Sequence, residues 1–146
     1  MRPPRGLMLT RGTLTGLSFI QRYRFLTIPQ FARTANFSIF HARDVLRTLE
    51  GRGALGFFGY VSIPGQGRTP KVYYLKRKGW EYLRDESGLP EEEIGPFQEV
   101  SPELTWTPQM YHRLRLLDLL VSLETQVRDL PHIRLVLIFI DGGNLE

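Results

Sequence analysis

The side chains in this sequence with the clearest chemical potential are cations, and they are concentrated in its first half. Residues 1–80 contain fourteen Lys and Arg residues but only two acids, Asp44 and Glu50, which gives a net charge of +12. Residues 81–146 contain five Lys and Arg residues against thirteen Asp and Glu residues, a net charge of −8. This asymmetry favours a surface for a polyanion in the first half of the chain.

The third predicted helix, Ile39 to Glu50, holds one candidate set of binding residues. Its apolar positions recur at i, i+3, i+4 and i+7, as expected for a buried stripe. The opposite face presents Phe40, His41, Arg43, Asp44, Arg47 and Thr48. Arg43 and Arg47 lie one turn apart, where their guanidinium groups could reach guanine edges or phosphates. A solvated helix face would show the same mixture of charges, so this pattern alone leaves both interpretations open.

A second candidate set follows in a predicted β-hairpin with a basic tip. Two runs rich in aromatic and β-branched residues, 55–63 and 71–75, flank a connection rich in glycine and proline. Arg68 and Lys71 lie at this tip, and its glycines would allow close approach to a sugar-phosphate backbone or to a minor groove. Lys76 and Lys78, at the start of the following helix, could also contact phosphates. A floppy surface hairpin is the alternative.

The remaining elements predict an α+β protein. The pattern predicts a first helix at 11–23 and a second from Thr27 to about Ala35, with Thr27 and Gln30 in a capping box. A fourth helix is predicted at 77–86, followed by an acidic linker rich in proline at 88–108. A long helix at 111–129 and a buried strand at 133–140 complete the prediction.

Three segments resemble the winged helix-turn-helix superfamily of DNA-binding proteins. They are the short turn after Thr27–Ala35, the junction Val45–Leu55, and Gly65–Gly79, which is similar to a wing leading into its helix. Within the superfamily, Tyr23–Thr27 and His112–Glu124 resemble the bacterial replication-relaxation family of plasmid and mobile-element proteins. The resemblance implies a winged-helix domain at 11–87, followed by the acidic linker at 88–108. The arginines near the start predict a basic arm at 1–10, with a disordered tail as the alternative. The helix plus strand at 109–146 would serve dimerisation or begin a truncated second domain.

The function that this resemblance implies is binding of double-stranded DNA by a regulator of transcription or of plasmid and mobile-element replication. The third helix would enter the major groove, and the wing would contact the backbone or minor groove. A winged helix used for protein contacts, or a fragment of a nuclease-like or relaxase-like protein, is the alternative. The chain ends before most of the second domain that the family implies, which leaves a truncation open.

The residues do not suggest catalysis. No cysteine is present, the three histidines lack metal-ligand spacing, and the carboxylates at 91–93 lie in the predicted linker. The segment Gly65-Gln-Gly67 is too short to be a glycine motif for binding nucleotide phosphates. We therefore expect no enzymatic activity, no metal and no cofactor, and the sequence identifies no small-molecule ligand.

The long helix is the candidate dimer interface. Its apolar side chains recur at spacings of four and three, as in a helix that packs on a partner helix. They are Leu116, Leu120, Leu123, Val127 and Leu130. The same stripe is expected of a helix that covers its own domain, so a homodimer is one of two interpretations. With no secretory signal and no membrane span evident, we expect a cytoplasmic protein.

Overall fold

The computed structural model describes residues 9–128 of the chain. The elements follow in the order α1 (Arg11–Tyr23), β1 (Phe25–Thr27), α2 (Ile28–Ala35), α3 (Ile39–Gly51), β2 (Leu55–Gly59), β3 (Ser62–Ile63), β4 (Gly67–Arg68), β5 (Lys71–Leu75), α4 (Arg77–Glu86), α5 (Glu91–Ile94) and α6 (Gln109–Arg128). Helices combined with small antiparallel sheets confirm the α+β class. The strand predicted at 133–140 and the basic arm predicted at 1–10 lie largely or wholly outside the described residues.

The helix-turn-helix forms from local capping signals. The Thr27 hydroxyl accepts a hydrogen bond from the backbone N–H of Gln30, and the Gln30 side-chain oxygen accepts one from the N–H of Thr27. Asn36 ends α2 in the left-handed conformation, with φ of 60°. Ser38 then accepts from the N–H of His41 at 3.1 Å and starts α3. The predicted capping box and short turn are therefore confirmed.

The core between the first three helices fixes the direction in which α3 faces. Ala42, Leu46 and Leu49 are fully buried. They belong to the same core as Phe31 of α2. Gly16 allows α1 and α2 to pack closely, because a Cβ there would collide with the Phe31 ring. Its cost to helix propensity is therefore offset by helix packing.

The three-stranded sheet has the order β1–β5–β2, with both pairs antiparallel. Strand β1 was not predicted from the sequence. It has only three residues, all buried, and pairs Leu26 with Tyr73. In the register of β2, Tyr73 also pairs with Phe57. Because strand side chains alternate between faces, these residues lie on one face of the sheet and their neighbours Phe25 and Phe58 on the other.

The wing is a hairpin whose strand pairing is interrupted after β2, although backbone hydrogen bonds from Tyr60 to Pro70 and from Thr69 to Val61 join its two parts. Gly59 and Tyr60 both have positive φ, 82° and 59°, and end β2. The chain then forms a separate two-stranded tip in which Ser62 pairs with Arg68. A Cβ at Gly59 would collide with the carbonyl oxygen of Pro70, so the break needs glycine for steric as well as conformational reasons. The two-stranded tip thus continues the hairpin beyond an interruption of the strand pairing.

Helix α6 packs against the winged-helix unit. Leu117 and Val121 are buried. The fully buried Gln30 donates from its amide to the carbonyl oxygen of Leu114 at 3.0 Å and to the Asp118 carboxylate at 2.9 Å. No helix within residues 9–128 is long and apolar enough to cross a membrane.

The acidic segment 88–108 is also held against the unit, rather than acting as a free spacer. The Trp80 indole N–H donates to the carbonyl of Gly95 at 3.0 Å, and Gln21 donates to the carbonyls of Ile94 and Pro96. Ile94 is buried, whereas the three glutamates before it are exposed, as expected from the sequence. The segment is acidic, and its apolar residues anchor it to the winged-helix unit. The proposed domain limits stay a prediction.

Candidate nucleic-acid interface

The outward face of α3 is open to solvent. Phe40 is 77% exposed, and His41, Arg43, Asp44 and Arg47 are exposed as well. Since the opposite face of the helix is anchored in the core, these side chains are presented on a fixed support. Thr48 is half-buried, and its hydroxyl donates to the carbonyl of Asp44 at 2.9 Å, so its role in reading DNA stays a prediction.

A groove runs between α3 and the wing, which we call the α3–wing groove. It has a volume of about 680 Å³ and is lined by Thr27, Ile28, Pro29, Ile39, Arg43, Arg47, Tyr60, Arg68, Thr69, Pro70, Lys71 and Tyr73. Four of the cations named from the sequence, two from α3 and two from the wing, therefore border one concave surface. These four cations span 28 positions of the sequence, from Arg43 to Lys71.

Arg68 is held at the wing side of this groove by Tyr60. The guanidinium carbon lies 4.5 Å from the centroid of the Tyr60 ring. Such stacking leaves the N–H groups of arginine free to donate to an anion. Tyr60 is 53% exposed, and the sequence analysis did not predict it as a site residue. The available signal was an aromatic residue directly after Gly59, at the place where the strand pattern breaks.

Lys71 is engaged within the protein, and its role as a DNA contact stays a prediction. Its ammonium lies 3.0 Å from the Glu50 carboxylate and 4.0 Å from the centroid of the Phe57 ring. Burial alone would lower the pKa of Lys71, but hydrogen bonds with Glu50 and Tyr73 outweigh it and raise the pKa above its ordinary value. Lys71 therefore stays charged in the groove, but Glu50 neutralises part of its field.

Lys76 and Lys78 are exposed but do not line the α3–wing groove. Lys76 follows Lys71 by five residues along β5, a distance of about 17 Å at the rise of a strand. It is the N-cap of α4, and its side chain makes no capping hydrogen bond. The structure thus separates these two lysines from the four cations of the groove.

Some other arginines of the basic half bind α6 instead of facing outward. Arg22 forms an ion pair with Glu124, and Arg33 donates to the hydroxyl of Ser122 at 2.7 Å. The negative charge of the second half therefore neutralises part of the first half. The number of basic residues overstates the charge available to an external anion.

The candidate dimer residues do not form one exposed stripe. Leu120 is only 5% exposed because it packs into the core of its own chain. Leu116 is half-buried against the same core, and Leu123 and Val127 are half-buried as well. Leu130 lies outside the described residues. The interpretation in which α6 covers its own domain accounts for the buried positions, and Leu120 is not available to a partner.

The fold and the α3–wing groove together define the structural class of this protein. Three helices, a helix-turn-helix with its second helix exposed, and a sheet extended by a wing form a winged helix-turn-helix, here with a basic groove between α3 and the wing.

Comparison with known proteins gives the family. The family model for replication-relaxation matches residues 17–137, and the chain belongs to this family. Comparison with curated proteins gave no match. Among solved structures the chain is similar to Sso10a-2, a DNA-binding protein from Sulfolobus solfataricus, at 20% identity over 85% of this chain and 100% of that chain. The TM-score is 0.35, which is too low to support an argument.

Proposed function

We propose that this chain binds double-stranded DNA in the cytoplasm and regulates transcription or the replication of a plasmid or mobile element. Helix α3 enters the major groove, and the wing contacts the backbone or the adjacent minor groove. The observation that carries this proposal is the convergence of Arg43, Arg47 and Arg68 on one groove beside an exposed helix face.

The dimensions of α3 suit this role. An α-helix with its side chains is about 10–12 Å wide, and the major groove of B-DNA is about 12 Å wide. Arg43 and Arg47 are separated by a rise of about 6 Å along the helix, close to two base-pair steps of about 3.4 Å. Each guanidinium can therefore address its own base pair or phosphate. Phe40, on the same side one turn earlier, is suited to contact with a thymine methyl group.

The wing supplies a contact of a different kind. Gly65 and Gly67 have φ of 78° and 85°, and a Cβ at either would meet no atom within 4 Å. The tip is therefore narrow and open around the backbone next to Arg68. A narrow basic tip can follow a phosphate backbone without reading base edges. We expect Arg68 to contribute affinity for all sequences, and α3 to contribute sequence preference.

We propose that the chain itself is not an enzyme. Within residues 9–128, no three His, Asp or Glu side chains cluster as a metal site would require. A tyrosine nucleophile would need a more acidic hydroxyl, yet burial raises the pKa of Tyr73 despite the opposing ammonium of Lys71. A duplex or nicked-strand cleavage assay with Mg²⁺ and Mn²⁺ tests this: any protein-dependent cleavage that survives repurification would contradict it.

The binding proposal is tested by fluorescence anisotropy with a duplex obtained by random-duplex selection. Three arginines that neutralise three phosphates predict a slope of log K against log salt of about −2.7 or steeper. Arg47→Ala should cost about 1–3 kcal/mol on the selected site and blur preference at one base pair, whereas Arg68→Ala should weaken all duplexes alike. Arg115→Ala, on the exposed side of α6, is the matched control. A slope near zero, or equal effects of the three variants, would refute the proposal.

A winged helix that binds a protein is the second candidate. The exposure of Ile39 and Phe40, 42% and 77%, favours it because two apolar side chains at the start of α3 could pack on a partner. Failure to retard any duplex at low salt, with the fold intact by circular dichroism, would favour this candidate over DNA.

A homodimer is a further part of the proposal, since two-fold proteins read paired half-sites. Its interface would have to use side chains such as Leu123 and Val127, which are half-buried, rather than Leu120. Sedimentation that shows a pure monomer at high concentration and on DNA would exclude it.

A further inference from the structure

A second cavity, which we call the rear cavity, has a volume of about 770 Å³. It lies where the start of α6 and the segment 99–107 pass over the sheet. Phe25 and Phe58 line it, and by strand alternation they face away from Tyr73, which lines the α3–wing groove. The two cavities therefore lie on opposite faces of one three-stranded sheet, and the rear cavity takes no part in the proposed DNA contact.

The walls of the rear cavity are mainly apolar. Phe25 and Phe58 meet edge to face, with ring centroids 5.3 Å apart. The other apolar walls come from the covering segments: Val100, Leu104, Met110 and Leu116. Sites for small organic ligands are typically concave, mostly apolar and about 300–1,000 Å³ in volume. The rear cavity matches this description in size and lining.

The charged groups of the rear cavity favour an anion. Arg24 and Arg113 line it and stack on the same ring: their guanidinium carbons lie 5.8 Å and 4.4 Å from the centroid of Phe25. The Nε atoms of both are buried, and Arg113 also donates from Nη2 to the backbone carbonyl of Tyr23 at 3.5 Å. Glu99 contributes a carboxylate to the lining, so these three charged residues have a net charge of +1. His112, also in the lining, can add a hydrogen-bond donor.

The backbone of Arg24 is unusual as well. It has φ of 77°, a region that residues other than glycine rarely occupy, and its N–H donates to the carbonyl of Ile20 at the end of α1. Glycine or asparagine would meet this conformation at lower cost. The arginine side chain is thereby directed to Phe25 and the rear cavity.

We propose that the rear cavity binds a small organic acid, with an apolar body between Phe25, Phe58 and the covering segments and a carboxylate at Arg24 and Arg113. Planar guanidinium groups bind carboxylates with paired hydrogen bonds, and stacking fixes them for that role. The apolar body replaces water on the aromatic walls, and the carboxylate determines the orientation.

The probes are 1-naphthaleneacetate and its neutral amide, which share one aromatic body and differ in charge. The full chain is labelled with ¹³C-methyl methionine, because Met110 lines the rear cavity. We expect saturable shifts of the Met110 methyl with the acid, and binding of the amide weaker by about tenfold, the usual scale of a charge-assisted hydrogen bond.

Two variants test whether the probes bind in the rear cavity, and a third variant is the control. Thr105→Trp changes an exposed lining residue and should obstruct the cavity and abolish binding, while Arg113→Gln should weaken binding of the acid about tenfold and leave binding of the amide unchanged. Arg115→Gln, two residues along on the exposed side of α6, should change nothing. The proposal is overturned if Met110 shows no saturable shift with millimolar acid, if acid and amide bind equally, or if the acid still binds Thr105→Trp.

Discussion

Replacement of Gln30 by methionine tests how the helix-turn-helix is joined to α6. The Gln30 side chain is 1% exposed and uses both ends of its amide. Its oxygen accepts from the N–H of Thr27 at 3.0 Å, and its nitrogen donates to the carbonyl of Leu114 at 3.0 Å and to the Asp118 carboxylate at 2.9 Å. Methionine has a similar length and flexibility but supports none of these bonds.

The expected loss of unfolding free energy follows from the hydrogen-bond partners of Gln30. The hydrogen bond to the Asp118 carboxylate is worth about 1.5 kcal/mol, the low end for a charged partner, because Asp118 is exposed to water, and the bond to the N–H of Thr27 about 0.5–1.5 kcal/mol. The carbonyl of Leu114 lies within α6 and keeps its helical partner, so it adds little. We therefore expect Gln30→Met to lower the free energy of unfolding by about 2–3 kcal/mol, with some recovery from the apolar side chain.

The assay is urea unfolding followed by far-UV circular dichroism. Gln21→Met is the matched control: Gln21 also makes two hydrogen bonds, to the carbonyls of Ile94 and Pro96, but it is only half-buried. Water can replace those bonds, so the control should lose about 1 kcal/mol or less. Equal losses in the two variants would refute the role assigned to the buried Gln30 network.

Two further predictions concern the wing and the base of α1. Gly59→Ala should destabilise the protein by more than the ~1 kcal/mol expected from positive φ alone, because the new Cβ would collide with the carbonyl oxygen of Pro70. Gly65→Ala, where the new Cβ meets open space, should stay near that value. Thermal unfolding of both variants measures the order, and a reversed order would contradict the wing geometry. Burial, and then the hydrogen bond to Glu124, raise the pKa of the Tyr23 hydroxyl. The stability that the protonated Tyr23 hydroxyl contributes is therefore complete below the ordinary tyrosine pKa of about 10 and is lost as the pH rises above it. The free energy of unfolding should decline less steeply between about pH 10 and 12 in Tyr23→Phe than in the unmodified chain. An unchanged slope would contradict this.

Local signals made much of the winged helix predictable. Thr27 with Gln30 marks the start of α2, and Ser38 marks the start of α3, because their side chains cap the nearby backbone N–H groups. The stripe of Ala42, Leu46 and Leu49 in α3 follows helical periodicity and is buried. In each case the residues that determine the structure are neighbours in sequence.

Features that depend on distant partners were not predictable in this way. Strand β1 exists because Leu26 meets Tyr73 across 47 residues, and three residues carry no periodicity of their own. The pairing of Lys71 with Glu50 and of Arg22 with Glu124 also joins separate elements, so the sequence showed their charges but not that they were already matched. Tyr60 was missed because its role depends on the break in the wing.

The most direct test of the central claim is site-specific photocrosslinking to a duplex. A benzophenone-bearing phenylalanine analogue replaces Phe40, which is 77% exposed on α3, or Leu119, which is 55% exposed on α6 and outside the lining of the α3–wing groove. If the α3–wing groove holds DNA, irradiation of the complex should crosslink the analogue at Phe40 to the duplex and leave the analogue at Leu119 uncrosslinked. Crosslinks of equal yield at both positions, or at Leu119 alone, would contradict the account.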